Sequence, residues 1–227
     1  EVYGGLVSPG SVMAGEAWHR SALGQLYAAV GAPAASLRRV WQSAAEAGRM
    51  AAPAERTRVV QTGGTAAVEL FAGLEADSTA LTELGALTGE APPKEVRALL
   101  ALSRRDPLGA RRALAEPDTA TSMKSGYMVY RRPLAAEAYY RLGDYQTALS
   151  LLDNFEPDIY ASRGFDSRWG LLGRVRLMRA ELYAKLGHTS EARAGFRQVL
   201  NQWKSADPAL NAFVRQAERG LANLGEG

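Results

Sequence analysis

The chain has 227 residues, 47% of them hydrophobic and 22% charged, with a formal net charge of +3 and no cysteine. That length suffices to bury a full core, as one domain or two small ones, and the lack of cysteine excludes a disulfide framework, a thiol nucleophile and a thiolate metal site. His19 and His188 are the only imidazoles and fall in different helical hairpins, so a two-histidine metal site is not expected, and no run approaches the ~18–20 apolar residues that span a bilayer.

Residues 1–15 are rich in Gly, Val, Ser and Pro without helical period, which predicts a linker or tail. A helix is expected from Glu16 to Val30, a turn at Gly31-Ala32-Pro33, and a second helix from Pro33 to about Ala47. Ala54 to Leu74 has helical character interrupted at Gly63-Gly64, where two glycines cost roughly 2 kcal/mol relative to alanine. After a turn at Thr88–Pro93, a helix is expected over Lys94–Ser103 and another from Pro107 to Ala115, with Asp106 as its N-cap. In this short pair Ala110 is the small contact residue and Leu114 the bulky one. Helix is expected to resume near Val129, and Asp207-Pro208 to start a last helix with Leu210, Phe213, Val214, Ala217, Leu221 and Leu224 on one face, ended by Gly225.

Between these lies one hairpin signature written twice. Ala136–Phe155 and Arg179–Leu200 each carry a tyrosine (Tyr139, Tyr183), a Leu-Gly pair (Leu142-Gly143, Leu186-Gly187), an alanine five residues past the glycine (Ala148, Ala192) and a bulky residue four further on (Leu152, Phe196). The glycine ends one helix by taking the left-handed conformation, and the alanine admits the next helix at close range. A third copy, Ser21–Trp41, has Leu23-Gly24, Tyr27 and Gly31, with Ser36 at the alanine position.

These residues resemble the tetratricopeptide repeat family, whose units run ~34 residues. Departures are visible: Arg20, Arg132 and Arg176 stand at the family's opening tryptophan, and Gly143 and Gly187 lie 44 residues apart. The resemblance implies an all-α right-handed superhelical solenoid over 16–227. Its clearest hairpins are 16–47, 129–155 and 173–203, with degenerate repeats over 54–118 and a C-terminal capping helix at 208–224. It also implies a non-catalytic protein–protein interaction scaffold or partner-recognition module. Because the chain starts at Glu1 without methionine, the C-terminal part of a larger protein is expected. Its arginine-, alanine- and glycine-rich composition points to a bacterial source. The alternative reading is a regulatory sensor region of a signalling protein that binds a small ligand or nucleic acid.

In this family ligands lie on the concave face, lined by the first helix of each hairpin. Carried over residue by residue, that groove comprises Trp18, Gln25, Tyr130, Glu137, Tyr140, Arg141, Arg174, Glu181 and Lys185. The expected partner is a protein or peptide, acidic in character because the groove is expected to be net basic. The insertion between the two strong hairpins, Glu156 to Ser167, brings Tyr160 and Phe165, and Trp169 follows just after it; these aromatics either lean over the groove or plug the gap left by the longer connection. Arg104-Arg105, Arg111-Arg112 and Arg131-Arg132 are candidate phosphate contacts. Residues 91–227 carry 21 Lys/Arg against 15 Asp/Glu, short of the dense basic stripe of a nucleic-acid binder. No phosphate-binding glycine loop, HExxH motif or assignable catalytic triad occurs, so neither enzyme activity nor a cofactor is expected.

Overall fold

The structure is a computed structural model that describes residues 93–117, 127–153, 155, 166–206 and 208–225, with five helical positions between 39 and 50. The expected tail 1–15, most of the expected hairpin 16–47 and the stretch 54–92 lie outside the described residues.

All regular structure among the described residues is helical. Three hairpins follow one another: α1 (Lys94–Ser103) with α2 (Pro107–Ala115), α3 (Tyr127–Arg141) with α4 (Tyr145–Leu152), and α5 (Asp166–Lys185) with α6 (Thr189–Gln202). A 3-10 turn at Pro208–Leu210 then leads into α7 (Asn211–Asn223). The first two helices fall where the sequence predicts them. Two boundaries do not. α5 begins at Asp166, ahead of the hairpin bound expected at 173, so Asp166–Gly170 belongs to the helix of the third hairpin. The terminal helix proper starts at Asn211, because Pro208 opens a tighter turn first.

The three hairpins turn by one mechanism. In each, two backbone N–H groups beyond the first helix reach back to its carbonyls. Gly143 and Asp144 donate to Tyr140 and Tyr139, Gly187 and His188 to Ala184 and Tyr183, and Arg105 and Asp106 to Leu102 and Ala101. The residue at the corner takes positive φ in all three: +79° at Gly143 and Gly187, and +60° at Arg105. Arginine thus does at the first corner what glycine does at the other two, against the Cβ–carbonyl crowding that makes this conformation costly for side-chain-bearing residues. Asp106 and Asp144 then cap the second helices, their carboxylates accepting from the backbone N–H of Gly109 (2.7 Å) and Thr147 (3.2 Å). His188 holds the same position at α6 and makes no such bond.

Within each hairpin the expected small-residue contacts are buried. Ala110, Ala148 and Ala192 have no exposed surface, and Leu152 and Phe196 are buried beside them. Burying a side chain the size of Phe196 contributes roughly 1.5–3 kcal/mol. Further along the α5–α6 seam, a Cβ on Gly195 would lie 2.9 Å from the Ala180 Cβ, so two minimal residues set the distance between these helices.

Between hairpins, the first helices form a row: α1 packs on α3, α3 on α5 and α5 on α7. Two apolar clusters fill the interior. One spans α1 to α5 and includes Val96, Leu99, Leu134, Leu152 and Phe155; the other gathers Leu177, Phe196, Val199, Trp203 and Ala217 around α5, α6 and α7. Arg131 of α3 is buried, and its Nε and Nη2 donate to both carboxylate oxygens of Glu95 on α1 at 3.0 and 2.9 Å. The expected phosphate contact at Arg131 is therefore corrected: its guanidinium is committed to a buried carboxylate.

Candidate functional site

Three charged groups that the sequence places on the first helices, Glu137, Arg174 and Glu181, meet in a cleft between α3, α5 and α7. Helical spacing aligns them. On α3, Pro133, Leu134 and Glu137 share one stripe; on α5, Arg174, Met178 and Glu181 follow at intervals of four and three; on α7, Phe213 and Gln216 are three apart. These residues, with Val175 and Leu177, line a space of about 590 Å³ that opens to solvent. Pro133 sits inside α3, where its ring leaves the helix without one backbone donor.

The charged members of the cleft are held in distinct ways. Arg141, one turn beyond Glu137, donates from Nε to its carboxylate at 2.6 Å. Glu181 accepts from the Gln216 side-chain amide at 2.6 Å, which ties α5 to α7. Burial pushes the Glu181 carboxyl above the usual carboxylate range; the Gln216 hydrogen bond opposes this, the nearby Glu137 charge adds to it, and Lys185 offsets it least. The Tyr140 phenol is likewise raised, first by burial and then by the charge of Glu181. Its ring lies 5.6 Å from that of Tyr145. The Arg174 guanidinium lies over the Phe213 ring, 4.9 Å from its centroid, a cation–π contact that also bridges α5 and α7.

Of the nine expected groove residues, Glu137, Arg174 and Glu181 line the cleft itself. Arg141 joins it through Glu137, and Tyr140 and Lys185 lie within electrostatic range of Glu181. Tyr130 is a helical position of α3, and Trp169 one of α5. Trp18 and Gln25, with Tyr160 and Phe165 of the insertion, lie outside the described residues. The expected basic character does not extend into the cleft, where two carboxylates face one guanidinium. Phe213, Gln216 and Met178 complete the walls and were not anticipated. The apolar spacing of the last helix assigned Phe213 to packing alone, and nothing in the local sequence marks Gln216 as a cleft residue.

A second depression lies between the first two hairpins, lined by Lys94, Glu95, Leu114, Arg131, Arg132, Ala135, Tyr139 and Leu151. The Glu95–Arg131 ion pair forms part of its wall. Among the described residues no three His, Asp or Glu side chains gather as metal ligands, and no helix is long and apolar enough to cross a membrane.

The α3/α5/α7 cleft thus offers an apolar floor, hydrogen-bond acceptors on two adjacent helices and a guanidinium stacked on an aromatic ring. Such a surface is suited to holding a chain segment. Comparison with curated proteins finds no match, and comparison with solved structures finds none. A family model described as tetratricopeptide repeat matches residues 174–206, which cover most of α5, all of α6 and the turn beyond. The third hairpin is thus similar to a tetratricopeptide repeat.

Proposed function

We propose that this chain is a non-catalytic partner-recognition module whose row of first helices binds a segment of another protein. The observation that carries the reading is the cleft between α3, α5 and α7, where side chains from three separate helices converge on one open surface. The reading includes a right-handed superhelical arrangement of the hairpins, with α7 as its cap. Two features support that role for α7. It packs on both α5 and α6, taking the place a further first helix would occupy. Its outward residues Asn211, Arg215, Glu218, Arg219 and Asn223 are exposed and polar, as the terminal element of a stacked array must be. In this reading the partner engages the module without being chemically altered. Arg141 and Lys185, exposed at the rim, give acidic groups of a partner a place to pair.

A photo-crosslinking amino acid placed at position 185, beside the cleft, and in a separate variant at position 197, exposed on α6, tests the reading. Partners recovered by pulldown with the full chain should crosslink predominantly from position 185. Equal or stronger crosslinking from position 197 overturns the assignment of the binding face.

A further inference from the structure

The cleft also carries information about what its occupant must look like; the inference rests on the partner-binding reading above. The floor, made by Leu134, Val175, Leu177 and Met178, is apolar and accepts a hydrocarbon side chain. Two carboxylates stand over it, Glu137 from α3 and Glu181 from α5. Each has a cation one turn further along its own helix, and the two cations act differently. Arg141 is drawn onto Glu137 at 2.6 Å, yet both side chains remain partly exposed, so solvent screens the pair. Lys185 is exposed and makes no hydrogen bond to Glu181, whose donor is Gln216, a neutral amide. At Glu181 the repulsion from Glu137 exceeds the attraction of Lys185. The third cation, Arg174, is turned onto the Phe213 ring. Among the described residues, the half-buried carboxylate of Glu181 is thus hydrogen-bonded by a neutral donor, Gln216.

We infer that the occupant of this cleft is an extended peptide segment of a partner protein that presents a lysine or arginine beside an apolar side chain, the cation bridging Glu137 and Glu181 while the apolar group rests on Leu134, Val175 and Met178. A cationic group there would make charge-assisted hydrogen bonds to two partly buried carboxylates, and such bonds are about twice as strong as neutral ones. An acidic group would meet two like charges in the same space.

The test is selection of random twelve-residue peptides displayed on phage against the full chain, followed by fluorescence anisotropy of the enriched peptides. Lysine or arginine adjacent to an aliphatic or aromatic residue should be enriched. The double substitution Glu137→Gln with Glu181→Gln should weaken the best peptide at least tenfold. Gln216→Arg, which supplies an internal cation beside Glu181, should weaken it to a similar extent while circular dichroism shows the fold intact. Enrichment of acidic or uncharged sequences, or of none, overturns the cationic occupant. If acidic peptides are enriched and Gln216→Arg strengthens them, the cleft remains the binding site and only the charge assignment fails. If the enriched peptides bind all these variants as they bind the parent chain, the cleft itself is not the site and both readings fall.

Discussion

Single residues set the corners of this molecule, and Arg105 is the one that departs from the pattern. At φ +60° it occupies a conformation that Gly143 and Gly187 adopt at the matching corners. A left-handed arginine costs on the order of 1 kcal/mol. Arg105→Gly should therefore raise the midpoint of urea unfolding, by the equivalent of about 1 kcal/mol, and Gly143→Ala should lower it by a similar amount. The second residue-scale prediction concerns the cap missing at α6. Asp106 and Asp144 cap their helices, and His188 does not. His188→Asp should stabilise the third hairpin by about 0.5–1 kcal/mol, read from the same unfolding curves. The two glycine corners and the Asp106 cap were legible in the sequence, because those residue types carry strong local preferences. Arg105 was not, since arginine has no turn preference; the neighbouring Asp106-Pro107 marked the start of α2 without revealing which residue would make the corner.

Whole helices owe their placement to contacts that local preference does not encode. Ala192, fully buried between α5 and α6, should tolerate no larger residue: Ala192→Leu is expected to cost about 1–3 kcal/mol through overpacking, measured by thermal or chemical unfolding. The spacing of the alanine from the glycine made this contact readable in advance. The Glu95–Arg131 pair was not readable, because its partners lie 36 residues apart on α1 and α3. Arg131→Met should cost about 3–5 kcal/mol by leaving a buried carboxylate unpaired, whereas replacing both residues with apolar ones should restore most of the loss. The start of α5 was legible in part, because Asp166 and Ser167 are capping residue types, although the glycines that follow argue against helix. Gly170 and Gly173 are poor helix formers, but at Gly173 the missing side chain makes room for the Trp203 indole, which a Cβ would approach to 2.3 Å. Packing from a residue thirty positions away overrides local propensity there.

At the scale of the whole molecule, the cleft makes stability depend on pH in a stated direction. Glu181 has its carboxyl raised in the folded protein, chiefly by burial. Below the ordinary carboxylate pKa both folded and unfolded states hold this proton, and the folded state has its full stability. As pH rises from there through the raised pKa, the unfolded state releases the proton first, so stability falls. Thermal unfolding followed between pH 4 and 8 should show this decline, and Glu181→Gln should flatten it while keeping an acceptor for Gln216. The charged half of the cleft was legible: Glu137, Arg174 and Glu181 were placed by equating positions on successive first helices. The wall supplied by α7 was not, because a lone terminal helix has no partner helix in sequence from which its facing side could be deduced.

The position of α7 ties recognition to the helix that follows the third hairpin. Phe213 and Gln216 reach α5 through one aromatic contact and one amide, beside the apolar seam against α6. A segment seated in the cleft touches the same two side chains. Occupancy would then slow the opening of the last helix, and amide hydrogens from Val214 to Asn223 would exchange more slowly with solvent in the bound state than in the free one. Binding on the front of the molecule would be recorded as rigidity in α7, far along the sequence from Glu137 where contact with the partner begins.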